Sequence, residues 1–562
     1  MIKQKCQFWN GHFIFLILQK HTFTMRPILL FIGLSAGIVG HAQTWKDTTA
    51  SLEKILSRYP ENGPGAELAI GRNGKVIYSA ARGMANLEDS VRLTTVSRIE
   101  AGSVSKQFTA ACILLLEQQG KLSLNDDIRK YFPEIPDYGH VITIRHLMNH
   151  TSGIKDWGAV AAISGWPRSS KTYSNDDALH IICLQKTLNN VPGDEYIYSN
   201  SNYNLQAILI QRLSGMSLAV FSLKNIFIPA EMTHTEWRDD FNRVVAHRAI
   251  AYDKREGQYF TNMPNEYVYG NGGLLTTAED LLRWNDYYLN GRLGSPSLLN
   301  RQLSVVPLNN GKRHGYAAGL VVDSLNGQPV ITHSGATAGY RANLEYFPRL
   351  GLSIAWLSNN SENGSTGVPG AVRNLFVENK KGTLITPAAR KSDIDPKIFQ
   401  PYLGAYADPV TGEGMRLYGK ADGIYSETHG GRLEIVNATT LRAGRARLVF
   451  TSGAPRLLRF ISAGGDTTLY SGVDTASADA VSLQAYAGKY YSDETESAMY
   501  FVIKDGGLQM YPRVGSEEKL TPMYKDGFSF ADGYVVFQRD AAGAVNGFYV
   551  SIPRARKVRF RL

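Results

Sequence analysis

Strand signals at two distant places, with a long helical stretch between them, limit the folds open to this chain. The segment AELAIGRNGKVIYSAARG (66–83) alternates on both sides of Asn73-Gly74, a pair that favours the tight turn of a β-hairpin. Residues from about 100 to 290 then read mainly as helices joined by loops. Strands return in YAAGLVVDSLNGQPVITHSG (316–335), again with an Asn-Gly turn, and continue in ANLEYFP and LSIAWLSN. A helical piece, GAVRNLFVEN, follows. Strands need partners, so this order predicts an α+β domain. One antiparallel sheet forms from the N- and C-terminal segments, and the helical region is inserted between them.

At 562 residues the chain is too long for one ordinary core. The stretch NKKGTLITPAARKSDIDP separates two textures, which gives a first domain over 43–382, a linker over 383–396 and an all-β region over 397–562. The last region has short strands and glycine turns and reads as barrel-like, of lipocalin type. It carries a weak internal echo, Tyr402/Gly404/Tyr406 in FQPYLGAYAD and Tyr486/Gly488/Tyr490 in LQAYAGKYYSD. Two related β units, or one barrel made from a duplicated half, both explain it.

The net charge is +10, but the basic residues are spread along the chain, apart from the terminal RARKVRFRL. There Arg559 and Arg561 flank Phe560 with strand-like alternation, so the cluster reads as the wet face of a strand, and no nucleic-acid partner is expected. From Met25, MRPILLFIGLSAGIVGHAQ has a basic start, an apolar run and small residues at Gly40 and Ala42. Residues 1–42 are therefore read as a signal peptide, with Met25 a possible true start and cleavage after Ala42. A periplasmic or secreted protein with no integral membrane segment after signal removal is the expectation. Cys112 and Cys183, both in apolar helical contexts, are expected to be buried free thiols.

The spacing Ser-x-x-Lys occurs at Ser51/Lys54, Ser103/Lys106, Ser152/Lys155 and Ser516/Lys519. Ser103 stands out because Phe108, Ala111, Cys112, Leu115 and Leu116 form a buried helical face behind it. Residues three apart share a helix face, so the Lys106 amine can reach the Ser103 hydroxyl. A serine hydroxyl needs a neighbouring base, and a buried lysine with a depressed pKa can serve. The simpler alternative is a serine that only caps the helix. His146 and His150 have metal-ligand spacing, but the glutamate of a zinc-protease helix is missing. Tyr-Ser-Asn appears twice, at 173–175 and 198–200, and local physics does not separate the copies.

Taken together, GSVSKQFT, LMNHTSGI, PGDEYIYSNSNY, GNGGLLTTAEDLLRW and HSG (333–335) resemble, in order, the motifs of the serine penicillin-recognising enzymes. The resemblance spans about residues 60 to 380. It points to the branch of class C β-lactamases, DD-peptidases, D-aminopeptidases and esterases, and to a β-lactamase/transpeptidase-like fold. It implies that Ser103 is the nucleophile and that Lys106 and Tyr198 move its proton. The Pro192-Gly193 framing selects Tyr198 over Tyr173. By the same match, Asn200, His333, Ser334, Gly335 and Ala336 bind substrate, and the amides of Ser103 and Ala336 hold the oxyanion. Histidine at 333, where many relatives carry lysine, makes a β-lactamase less direct a reading than a peptidase. The expected substrate is a D-amino-acid peptide, a β-lactam or a small ester, and no metal or cofactor is required. The rival readings are a binder of cell-wall fragments that does not turn over, and a ligand-binding tail on a decayed enzyme. The oligomeric state is left open.

Overall fold

A computed structural model describes residues 47–362, 364, 367–377, 394–428, 431–451, 453, 456–476 and 480–562. The expected signal peptide (1–42) and residues 383–393 of the expected linker lie outside the described residues. Two compact units divide the chain between Ser51 and Leu52. Of the first only 47–51 are described, as helix. The second holds all the described sheets.

The central sheet is made from both ends of the first domain. Strands β1 (Ala66–Arg72) and β2 (Lys75–Arg82) form the first hairpin, and Asn73 and Gly74 at its turn have φ of 51° and 77°. After the helical region come β3 (Val321–Leu325), β4 (Gln328–Thr337), β5 (Tyr340–Phe347) and β6 (Leu352–Ser358). The order is β3-β4-β5-β6-β1-β2, antiparallel throughout. The two-residue period of strands sorts the side chains into two layers. Leu68, Ile70, Ile354 and Trp356 pack on one face with Leu52, Leu56, Val368 and Val372. Ala69, Ala355 and Leu357 face the other way, into the helical layer. A sheet covered on both faces explains why β6 is buried at every residue, Leu352 to Ser358, and is apolar at all but its two serines.

In the helical layer, α1 (Lys106–Gln118) is buried at every residue from Lys106 to Leu116. A helix enclosed on all sides belongs in a core. It packs against α2 (Ser201–Ser214) and shares its core cluster with α3 (Ala278–Leu289), where the Trp284 indole N–H donates to Gln107 Oε1 at 2.7 Å. Cys112 is a buried free thiol and Cys183 a half-buried one. Among the described residues no single helix is long and apolar enough to cross a membrane.

Residues 397–562 form two nine-stranded sheets, Gly404–Val473 and Gly488–Arg561, the arrangement of two related β units that was one of the two alternatives left open by the sequence. Both have the same order. The fourth, third, second and first strands are followed by the ninth, running back to the fifth. In each, the two edge strands are consecutive in the chain: Gly431–Arg432 and Glu434–Asn437 in one, Ser516–Lys519 and Thr521–Tyr524 in the other. Each sheet therefore curls nearly closed on itself and offers little edge to the other. Each also has its own aromatic core, around Tyr406 and Phe450 in the first and around Phe501, Phe537 and Phe548 in the second. The sequence echo has a physical meaning. Tyr406 Oη donates to Tyr402 O at 2.7 Å, and Tyr490 Oη to Tyr486 O at 3.1 Å, the same lock at the start of each sheet.

Candidate active site

Ser103 lies in a 3-10 turn, Gly102–Ser105, that leads into α1. The α-helix itself begins at Lys106, and no side chain caps the turn. Instead of capping, the Ser103 hydroxyl accepts a hydrogen bond from Lys106 Nζ at 3.1 Å. The turn is pressed against β4. A Cβ on Gly102 (φ 50°) would lie 2.7 Å from Ala336 N, and one on Gly335 would lie 2.0 Å from Ala101 O. Glycine at both positions is what lets the backbone of Ser103 approach that of Ala336.

Lys106 is fully buried, and its amine also donates to Asn200 Oδ1 at 3.0 Å and to the carbonyl of Asn271. Burial pushes this amine well below its usual range. The Asp156 carboxylate opposes the shift, and the Arg168 and Arg554 guanidiniums reinforce it. The Tyr198 ring sits 4.9 Å from Lys106 Nζ. Burial raises the Tyr198 phenol, and the nearby Ser103 hydroxyl opposes the rise, yet Tyr198 Oη makes no hydrogen bond of good geometry. An amine biased towards its neutral form thus faces a phenol biased towards its protonated form, with the serine between them.

The remaining groups complete the wall. Asn200 gives its backbone N–H to Asp156 Oδ2 at 2.6 Å, and its side-chain NH2 has no partner among the described residues. His333 is committed internally. A carbonyl can only accept, so its Nδ1–H donates to Ser334 O at 2.6 Å, and its Nε2 accepts from Tyr316 Oη at 3.1 Å. Burial, with Lys106 adding to it, holds His333 down to about 4, so the ring is neutral near pH 7. Ser103, Tyr198, Asn200 and the strand from His333 to Thr337 line one cavity of about 360 Å3. A larger hollow of about 750 Å3 beside the Asn73-Gly74 turn contains none of these groups.

The alternatives raised by the sequence have other duties. Ser174 and Asp177 form a capping box, and Tyr173 Oη donates to Trp166 O. Ser152 Oγ donates to Asn202 Oδ1, while Lys155 pairs with Glu494. His146 completes the capping box of Thr143. His150 Nδ1 accepts from Ser199 N, with its ring 4.2 Å from that of Tyr198. The His-x-Gly spacing of 333–335 recurs at 429–431, where His429 and Gly430 lie outside the described residues.

Sequence reasoning missed four contributors. Asp156 and Asn271 hold Asn200 and Lys106, Tyr316 holds His333, and Arg168 lines the cavity. It also missed Arg554, which comes from the second C-terminal sheet. The Arg554 carbonyl accepts from Asp156 N at 2.9 Å and from Asn189 Nδ2 at 3.0 Å, and its guanidinium stands 5.0 Å from the Tyr198 ring centre.

The Beta-lactamase family model matches residues 52–377. A D-aminopeptidase of Brucella canis is 26% identical over 532 residues, covering 91% of this chain and 98% of that protein. A penicillin-binding protein of Bacillus subtilis is 29% identical over 443 residues, covering 73% and 94%. Among solved structures, an octameric penicillin-binding protein homologue from Pyrococcus abyssi shares the fold with a TM-score of 0.52 at 19% identity, covering 84% of this chain and 98% of its own. The family match spans the domain that carries Ser103 and Lys106, and the full-length relatives extend over the tail as well. The chain belongs to the Beta-lactamase family and is a serine hydrolase.

Proposed function

We propose that the protein hydrolyses amides of D-amino-acid peptides through an acyl-enzyme on Ser103. Ser103 Oγ attacks the carbonyl carbon, and its proton passes to the neutral Lys106 amine. The amides of Ser103 and Ala336 hold the oxyanion that forms. Tyr198 gives its proton to the leaving amine, and the Lys106 ammonium reprotonates the phenolate. Water then attacks the acyl ester along the same route in reverse. The Asn200 NH2 and the Ser334 hydroxyl orient the substrate backbone. The observation that carries this reading is the buried, depressed Lys106 amine 3.1 Å from the Ser103 hydroxyl.

The similarity to D-aminopeptidases over 91% of the chain favours peptides of D-amino acids over antibiotics. The apolar run near Met25 favours periplasmic or secreted action on cell-wall fragments. Protonating Lys106 removes the base, so turnover falls as the pH drops through its lowered pKa. The acid limb therefore lies below the ordinary lysine range near 10.4. The test is Ser103→Ala. Turnover of a D-alanyl peptide should fall by at least about 10^4-fold, with an unaltered unfolding transition. Wild-type activity in that variant refutes the mechanism. One product per protein followed by arrest would point to a binder that does not turn over.

A further inference from the structure

The catalytic cavity is lined by arginine but by no carboxylate. Its walls include Arg168 and Arg554 and no aspartate or glutamate among the described residues. The two arginines differ in what they are free to do. Arg168 is committed to a bidentate pair with Glu266. Arg554 has no ion-pair partner among the described residues, and its side chain is exposed at the cavity. Its backbone, by contrast, is fixed. Asn189 clamps the turn from both sides, giving Nδ2–H to Arg554 O at 3.0 Å and accepting Arg556 N–H on Oδ1 at 2.8 Å. Arg556 forms a two-pronged pair with Glu195 at 3.0 and 3.1 Å. A fixed stem carrying an unpaired guanidinium beside a nucleophile is the arrangement that planar anion recognition needs.

The neutral state of His333 leaves this duty unfilled by β4. With both ring nitrogens engaged, His333 brings neither positive charge nor a free donor to the substrate. We infer that Arg554, supplied by the second C-terminal sheet, determines specificity by binding a substrate carboxylate next to the scissile bond. The inference deepens the hydrolase reading above and rests on it. A free ammonium at the same place would face the Arg554 guanidinium with no carboxylate among the lining residues, so the cavity selects against it. The carboxylate could be the C-terminus of a D-peptide or the ring carboxylate of a β-lactam, and the shared chemistry is a planar anion near the attacked carbonyl.

The test uses the full chain and two matched pairs: N-acetyl-D-alanyl-D-alanine with its C-terminal amide, and benzylpenicillin with its methyl ester. The readout is the ratio of kcat/KM, or of the Ser103 acylation rate, for acid over neutral partner. The wild-type ratio should exceed one for at least one pair, and which pair shows it identifies the source of the carboxylate. In Arg554→Gln that ratio should fall about ten- to a hundredfold, the range of a charge-assisted hydrogen bond. Arg554→Lys should restore part of it, and Arg554→Glu should take it lower still. A ratio of one or below in the wild type for both pairs, or a ratio unmoved in Arg554→Gln, overturns the inference. A neutral fluorophosphonate separates this from failure of the hydrolase reading. Labelling at Ser103 with unmoved ratios sinks the Arg554 role alone, whereas no labelling at Ser103 sinks both.

Discussion

In the first C-terminal sheet the turn between the eighth and ninth strands, Ser462–Asp466, folds back on itself, with Ser462 N donating to Asp466 O. In the second the equivalent turn is only Pro553 and Arg554, and it brings Arg554 to the cavity lined by Ser103. Their contacts with the hydrolase domain differ in the same sense. The first sheet offers the ion pair Lys312–Asp466, whose side chains are 46% and 79% exposed. The second offers Lys155–Glu494, at 0% and 5%. Glu494 also accepts backbone N–H groups from Lys186 and Arg559. Val160 and Ile163 of the hydrolase domain join the second sheet's apolar cluster, and among the described residues no hydrolase residue joins the first sheet's. One topology, used twice, has become a part of the site in one copy and an attachment in the other. A turn length and a few buried contacts make that difference, not the sheet.

The largest test of this contrast is Glu494→Ala. It strands the buried Lys155 amine and the Lys186 and Arg559 amides, and should destabilise the protein by about 3–5 kcal/mol in urea unfolding. Asp466→Ala should leave the midpoint unmoved. Equal losses from the two would erase the distinction between the sheets. Next in size is the acid response of the cavity that the second sheet closes. His333 is held at about 4 in the fold, against about 6.5 for an unfolded histidine. As pH falls the unfolded chain takes up this proton first, so stability present above pH 6.5 is lost between roughly 6.5 and 4, by about 3 kcal/mol. His150, which burial holds well below its usual range, adds to the same slope. His333→Asn should flatten the pH profile of the unfolding midpoint in that window, and a slope left unchanged would contradict a buried neutral ring. The smallest test concerns what the sheets share. Tyr406→Phe and Tyr490→Phe each remove one buried hydrogen bond and should cost about 1 kcal/mol apiece. A clear inequality would mean that the echoed tyrosines do different work.

What the sequence discloses about the site is what lies close together in the chain. Ser103 and Lys106 are one turn apart, and the strand of His333 to Ala336 is a continuous run. Their placement follows once the sheet pairs β4 with β5 at Ser334 and Asn343. The hairpin turns were legible because Asn-Gly accepts positive φ at 73–74 and 326–327. The choice of Tyr198 over Tyr173 needed family motifs, since both copies precede helices and only the packed molecule directs Tyr173 Oη to Trp166. Arg554 was hidden for a different reason. Alternation in RARKVRFRL correctly makes Arg559 and Arg561 exposed around a buried Phe560, but it says nothing about the arginine in the turn just before the strand. Where that turn lands depends on Asp156, Asn189 and Glu494, more than 50 residues away along the chain. The two closed sheets were equally obscure: the tyrosine echo was visible, but not whether its strands would share one barrel.

Gly102 and Gly335 have a consequence for how such an enzyme changes over generations. Neither position tolerates even a methyl group, so the backbone beside Ser103 is frozen against point mutation. Adaptation to a new substrate has to be written on the rim, and the terminal hairpin is the part of the rim that can be rewritten without touching the reacting atoms.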